Sequence, residues 1–423
     1  MILRKKYLKK IIDYMWDGQV KVITGIRRCG KSTLLFEIFY KYLLKNGTDK
    51  DNIICIELDK RIYARFRNPI TLAEFVESKI AAKKGRFYLF IDEIQFCRTV
   101  SDPDNPGESI TVYDMLNELK DYENLDVYVT GSNSRMLSKD IATEFRGRAS
   151  QIHVYPLSFS EYHSHLGGDI RDNLDSYMLY GGMPYLLKLK TLEQRKQYLT
   201  NLFNEVYIKD IVERNKVERV EILGNILDNL SSQISSLTNP TNITNALKTA
   251  RNEKLSVNTV SDYIEYCKDA FIVSEAKRYD VKGKHYFDYP NKYYYVDVGL
   301  RNARLNFRQI DSGHIMENII YNELVSCGYS VDVGVVADRR GGSYAQKEID
   351  FVVNMGDKRA YIQSAWQMGT DEKIKSELDS LKLAKDFFTK IVIQNDIPES
   401  YRDVDGILHC KFTDFLLAPE ALL

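Results

Sequence analysis

The chain has 423 residues, with 59 basic side chains against 59 acidic ones; it is too long for one ordinary core and lacks the charge of a basic nucleic-acid sleeve or an acidic tail. Its 6 cysteines are scattered without a C-x-x-C pair, which argues against a zinc site or a disulfide frame and for a reducing compartment. No apolar run approaches membrane-spanning length, so a cytoplasmic protein of roughly two to four domains, with no membrane partner, is expected.

The N-terminal segment sets Leu8, Ile11, Ile12 and Met15 on one face of a lysine-studded helix. Val20–Thr24 then reads as a strand. Gly25-Ile26-Arg27-Arg28-Cys29-Gly30-Lys31-Ser32 follows as a G-x-x-x-x-G-K-S loop opening a helix, the context in which that spacing means a phosphate loop. Gly25 and Gly30 admit backbone conformations closed to other residues, so successive N–H groups can turn around a β-phosphate at a helix N-terminus. Lys31 reaches the β- and γ-phosphates of ATP, the Ser32 hydroxyl ligates Mg²⁺, and Arg28, Cys29 and Thr33 complete the nucleotide-binding stretch. Cys29 admits two readings, a thiol activated by the helix dipole or an inert one turned away from the phosphates.

A second apolar strand is expected at 53–58 and a third at Phe87–Ile91, ending in Asp92-Glu93. At the end of that strand Asp92 can hold the Mg²⁺ shell while Glu93 polarises the water that attacks the γ-phosphate. A fourth strand, Val127–Thr130, delivers Ser132 and Asn133 either as γ-phosphate sensors or as a polar turn. Ahead of a fifth, Gln151–Tyr155, Arg148 reads as an arginine finger or as the partner of a neighbouring acid. Five strands alternating with helices make a parallel α/β sheet covered on both faces.

Together with Arg4-x-x-Tyr7, Ile91-Asp92-Glu93-Ile94, Thr130-Gly131-Ser132-Asn133-Ser134, Gly147-Arg148 and Tyr180-Gly181-Gly182-Met183-Pro184, the phosphate loop resembles a bacterial and archaeal AAA+-like P-loop ATPase family. Its members couple this core to a C-terminal domain of unassigned function, and the resemblance covers nearly the whole chain. It implies an additional-strand catalytic-glutamate sheet, in which the fifth strand flanks the first and the fourth, third and second follow on its other side. It also implies Glu93, Lys31 and Arg148 as catalytic residues, with Arg148 acting across a subunit interface.

Residues 1–157 are expected to form this core and 158–217 a helical lid, interrupted at Gly181-Gly182 by the join of two helices or by a plain helix stop. Between 218 and 305 three helices precede two short strands. Ser256 is a candidate N-cap for a helix with Val257, Val260, Ile264 and Cys267 at helical spacing. With Phe271–Val273 and Lys292–Val296 as wing strands, the segment resembles a winged helix. Its recognition-helix face carries Asp262, Glu265 and Asp269 beside Lys268, a poor match for phosphates. The basic residues Lys248, Arg251, Lys254, Lys277, Arg278, Lys282 and Lys284 lie on adjoining segments, so DNA contact and protein packing both stay open.

From 306 to 423 the layout resembles the PD-(D/E)XK nuclease fold. Glu317 on a helix and Asp350 on a strand match its metal ligands, with Glu348 close by. Gln363, however, stands where the resemblance calls for an anion and Ala365 where it calls for a lysine, which leaves a degenerate, catalytically inactive module without its cation. The chain as a whole is expected to be a Mg-dependent ATPase that transmits nucleotide state to its C-terminal half. A DNA-binding or DNA-cleaving protein regulated by ATP, and a slow-turnover signalling switch, are the alternatives; a protein partner or a second copy of the chain is a further candidate partner.

Overall fold

The computed structural model describes residues 2–132, 149–251, 255–338, 345–369 and 371–422. They fall into two units, Met1–Tyr155 and Pro156–Leu423.

In the first unit β1 (Val20–Thr24), β2 (Ile53–Glu57), β3 (Phe87–Asp92), β4 (Leu125–Gly131) and β5 (Ala149–His153) form one sheet in the order β2-β3-β4-β1-β5. Every pair is parallel, and the order is the one the family resemblance implied. β1, β3 and β4 are buried along their whole lengths; strands covered on both faces need apolar residues at every position, which is why these runs do not alternate. One face packs Val22, Leu89, Ile91 and Val127 against Leu72 and Val76 of helix Pro69–Ala82 and Leu116 and Leu119 of helix Val112–Leu119. Both helices begin where their caps dictate. Asn68 accepts the N–H groups of Ile70 and Thr71, and Thr111 and Asp114 satisfy each other's backbone. On the other face Phe39 meets Phe90 and Tyr128 at centroid distances of 5.6 and 5.0 Å.

This arrangement decides where polar groups gather. β3, β4 and β1 are neighbours running the same way, with Ile91 opposite Val129 and Thr24 opposite Gly131. The segments that follow their C-terminal ends therefore emerge side by side, the usual place for a ligand in an open parallel sheet.

In the second unit β6 (Leu237–Thr238), β7 (Val273–Asp280), β8 (Tyr286–Tyr295), β9 (Ser330–Asp338), β10 (Ala345–Met355), β11 (Lys358–Ala365), β12 (Thr389–Gln394), β13 (Tyr401–Arg402) and β14 (Leu408–Lys411) make a mixed sheet. Its order is β13-β14-β12-β11-β10-β9-β7-β8-β6. Of the strands read as a wing, the first begins where Phe271–Val273 was expected to end, as β7, and the second lies within β8; the two pair antiparallel, and β7 also pairs in parallel with β9, Arg278 lying opposite Val333. The hairpin and the strands beyond 306 thus share one sheet. Local periodicity could not reveal this, because the pairing joins residues far apart in sequence.

Helix Ser312–Ser326, capped by Asp311, packs Ile315, Ile319 and Leu324 on Val333, Phe351 and Ile362. Helices Phe159–Leu166 and Ile170–Tyr180, from the segment expected as a lid, join that core through Phe159, Leu174 and Tyr177. Helix Ile170–Tyr180 stops at Gly181, and the residues around that stop are tied to a later helix. The Gly182 N–H donates to buried Asp297 Oδ2 at 2.6 Å, and Asn302 Nδ2 donates to the carbonyls of Met178 and Leu179 at 3.0 Å each. Burial pushes the Asp297 carboxyl up to about 6, against the backbone N–H groups that favour its charge. Among the described residues no helix is long and apolar enough to cross a membrane.

Candidate functional site

The loop between β1 and the helix starting at Lys31 is shaped by glycine. Gly25 has φ 140° and Gly30 φ 103°, and a Cβ on Gly25 would drive into the Val154 carbonyl. Arg28 is exposed and also has positive φ, 65°. The Cys29 thiol is buried and donates to the Val154 carbonyl at 3.3 Å. Arg4, from helix Lys5–Asp13 by one residue, braces the loop from below: its guanidinium donates to the carbonyls of Cys29 at 3.1 Å and Tyr155 at 2.7 Å.

Lys31 is buried, its ammonium donating to the carbonyls of Gly25 at 2.9 Å and Ile26 at 3.1 Å. Ser32 Oγ donates to Asp92 Oδ1 at 3.1 Å, and Thr130 Oγ1 donates to the same oxygen. Burial raises the Asp92 carboxyl above its ordinary value, while the hydrogen bonds from Thr130 and Ser32 pull the other way. Thr33 is exposed. A hydroxyl and a carboxylate converging on one point fit Mg²⁺, which takes one or two protein oxygens and leaves the rest of its shell to water and phosphate.

Glu93 sits in the left-handed region, φ 52°, where its N–H donates to Thr130 Oγ1 at 3.0 Å. Its Oε2 accepts from Gln95 Nε2 and, at 3.4 Å, from Ser132 Oγ. Ser132 Oγ in turn accepts from Arg27 Nε at 3.3 Å. Among the described residues Gln95 Oε1 is buried without a hydrogen-bond partner. Ser132 is thus brought to Glu93, whereas Asn133 and Arg148 lie outside the described residues. Thr130, Gln95, Arg27 and Arg4 were not singled out as functional by the sequence reading; the signal was present for Thr130, a polar residue near the end of an apolar strand that points to this edge.

The C-terminal candidates gather as well. Glu317 on helix Ser312–Ser326 and Glu348 and Asp350 on β10 all meet at one point, and that point is the ammonium of Lys292 on β8, at 2.8, 2.7 and 3.3 Å. The expectation that the cluster lacks a cation is corrected: Ala365 on β11 supplies none and packs in an apolar core, but Lys292, from a strand read as part of a wing, supplies one. Gln363 Oε1 accepts from the Asp350 N–H at 3.3 Å and its Nε2 donates to Glu377 at 2.8 Å. Burial, with Asp350 beside it, pushes the Glu317 carboxyl up to about 8, against the pull of Lys292 and Tyr294.

Comparison with known proteins matches residues 17–163 to a family described as an AAA domain and residues 171–311 to a domain of unknown function. An uncharacterized protein of Haemophilus influenzae is 31% identical over 422 residues, covering 99% of each chain. An uncharacterized protein of Methanocaldococcus jannaschii is 28% identical over 90% of this chain and 83% of its own. Among solved structures, a Walker-type ATPase of Pyrococcus abyssi superposes with a TM-score of 0.50 at 15% identity, over 72% of this chain and 96% of that one.

Proposed function

Since the chain belongs to the family of its Haemophilus influenzae relative, matched from end to end, and opens on an AAA-type P-loop ATPase fold, we propose that it binds and hydrolyses ATP with Mg²⁺ and transmits the nucleotide state to its C-terminal half. The observation that carries this reading is the convergence of Lys31, Ser32, Asp92 and Glu93 at one edge of the parallel sheet, with Ser32 3.1 Å from Asp92.

Gly25 to Gly30, including Arg28 and Cys29, turn backbone N–H groups toward the phosphates, and Thr33 extends that cradle into the helix. Lys31 exchanges the Gly25 and Ile26 carbonyls for phosphate oxygens. Ser32 and Asp92 would hold Mg²⁺, which would offset charge on the phosphates during transfer. Glu93 accepts the proton of the attacking water, oriented by Gln95 and Ser132. Ser132 and Asn133 report the γ-phosphate, and Arg148 is offered as a finger to a second copy of the chain. Substituting these residues in one assay tests the division of labour. Lys31→Ala abolishes tight ATP binding, whereas Glu93→Gln keeps it and lowers turnover about 10²–10⁴-fold; Arg148→Ala lowers turnover alone. Equal loss of affinity in the first two variants would overturn the assignment.

For the remainder we read 158–217 as a lid, 218–305 as a winged helix and 306–423 as a nuclease-like module kept for docking, in a cytoplasmic protein whose six cysteines are free thiols. Lys268, the base on the recognition-helix face, is held by Glu265 and Glu275 at 2.7 Å each, which favours a protein partner over DNA. An ATP-regulated DNA protein would instead respond to added DNA in the same assay, and a signalling switch would bind ATP tightly with little turnover.

A further inference from the structure

The four consecutive strands β8-β7-β9-β10 curl far enough for a side chain on the first to reach carboxylates on the last. Register shifts between Phe287 and Lys292 on β8 and between Asp332 and Gly334 on β9 accompany the curl. Gly334 is needed there, since a Cβ would stand 2.8 Å from Val352 Cγ2 and 2.9 Å from Ile349 Cβ. Inside the curl the Lys292 ammonium has three donors and three carboxylate partners, Glu317, Glu348 and Asp350. The acceptors around it are taken too. The Tyr294 hydroxyl donates to Glu317 Oε1 at 2.7 Å and the Ser364 N–H to Asp350 Oδ2 at 2.9 Å.

We propose that Lys292 is the resident cation of this cluster, standing where a nuclease of similar layout holds a divalent metal, and that the cluster is a metal-free clamp joining β8, helix Ser312–Ser326 and β10. The comparison with a metal site rests on the nuclease-like reading of the module; the clamp itself rests on the contacts alone. The separations to Glu348 and Glu317, 2.7 and 2.8 Å, are those of charge-assisted hydrogen bonds from an ammonium, and Asp350 stands farther off at 3.3 Å. An ammonium and a divalent ion at one buried point repel each other, so the metal enters only if the lysine leaves. Without a metal to activate water, the cluster does not cut phosphodiesters. A neutral side chain in place of Lys292 leaves three carboxylates around a cation-sized space, and the unbalanced charge then recruits a divalent ion.

The test uses the full chain, free of nucleotide and stripped with EDTA, then titrated with Mn²⁺. Ion uptake is read by electron spin resonance and stability by thermal unfolding. Wild type should unfold at the same temperature in Mn²⁺ and in EDTA. Lys292→Met should unfold at a lower temperature in EDTA, recover in Mn²⁺ and take up one ion per chain, and adding Asp350→Asn should remove that uptake. Wild-type uptake lost on Asp350→Asn overturns the proposal, as does wild-type plasmid cleavage lost on the same substitution, and as does a folded Lys292→Met chain that takes up no ion. Should Lys292→Met fail to fold, Asp350→Asn alone decides. A resident ammonium gives the same drop in unfolding temperature in Mn²⁺ and EDTA, and a metal site gives a larger drop in Mn²⁺. ATP turnover on the same samples reports on the phosphate loop independently, and plasmid cleavage by Lys292→Met in Mn²⁺ separates a nuclease-like module from a clamp of another ancestry.

Discussion

Lys31 and Lys292 are almost equally buried, at 4% and 3% exposure, yet Lys31 is held by two backbone carbonyls and Lys292 by three carboxylates. Lys21 repeats the second pattern in the first unit, fully buried against Asp126 at 2.5 Å and Asp17 at 2.7 Å. A hydrogen bond from an ammonium to a neutral carbonyl contributes about 1.5–3 kcal/mol, less than the loss on breaking a buried ion pair, so on the proposed reading Lys31 trades its partners for phosphate oxygens that carry full charge. Lys292 has no such exchange to make. The charge on its partners, more than its burial, decides whether a buried lysine works on a ligand or serves as structure.

The sharpest way to break this comparison is to remove each ammonium in turn. Lys31→Met should abolish ATP binding and lower the unfolding free energy by less than about 3 kcal/mol, since the bonds lost are to neutral carbonyls and no buried carboxylate loses its partner. Lys292→Met should retain ATP binding while the second unit loses about 3–5 kcal/mol, the usual consequence of leaving buried charges without their partner. Calorimetry of unfolding and of ATP binding on both variants checks this. A Lys31→Met chain as destabilised as Lys292→Met would show that burial alone governs.

The same contrast explains what could be read from the sequence. Gly25, Gly30, Lys31 and Ser32 lie in one contiguous stretch, and Asp92-Glu93 closes an apolar run, so local pattern sufficed to single them out as the candidate phosphate site, and the resemblance supplied the strand order. The C-terminal cluster draws Lys292, Glu317 and Asp350 from β8, a helix and β10, and joins them only through the curl at Gly334 and the parallel pairing of β7 with β9. Glu317 and Asp350 could be found by resemblance. Lys292 could not, because the fold that suggested the site expects its lysine two positions beyond Gln363, and a lysine among tyrosines on a wing strand carries no sign of its partners. Gln95 was passed over for a different reason: its role depends on the left-handed turn at Glu93, which no residue type announces.

A weaker effect sharpens the comparison through pH. The Glu317 carboxyl faces Lys292 Nζ, the Tyr294 hydroxyl, Asp350 and Glu348, and burial pushes it up to about 8 from an ordinary value of 4.5. Its folded-state value is the raised one, so the stability it contributes is fully present below about 4.5 and is lost as pH rises through 8. Glu317→Gln should therefore flatten the dependence of unfolding temperature on pH between about 4.5 and 8, with the variant gaining on wild type toward the alkaline end. An unchanged slope would mean that Lys292 holds Glu317 ionised across the range, and the carboxylate side of the contrast would be stronger still.

The smallest expected effect lies beside the phosphate loop, where neutral groups do the holding. Glu93 Oε2 receives Gln95 Nε2 and Ser132 Oγ, and Gln95 Oε1 is buried without a partner among the described residues. Deleting the Gln95 amide removes one donor from the carboxylate and also removes that orphaned oxygen, so the two effects on stability offset each other. What remains is orientation of the base. Gln95→Ala should lower kcat about tenfold, the loss of one hydrogen bond to a charged group, and leave ATP affinity unchanged, because the proposed reading assigns ground-state binding to Lys31 and the loop N–H groups. A parallel fall in affinity would place Gln95 on the nucleotide itself. No change in kcat would mean that Ser132 and the backbone turn at Glu93 orient the carboxylate unaided.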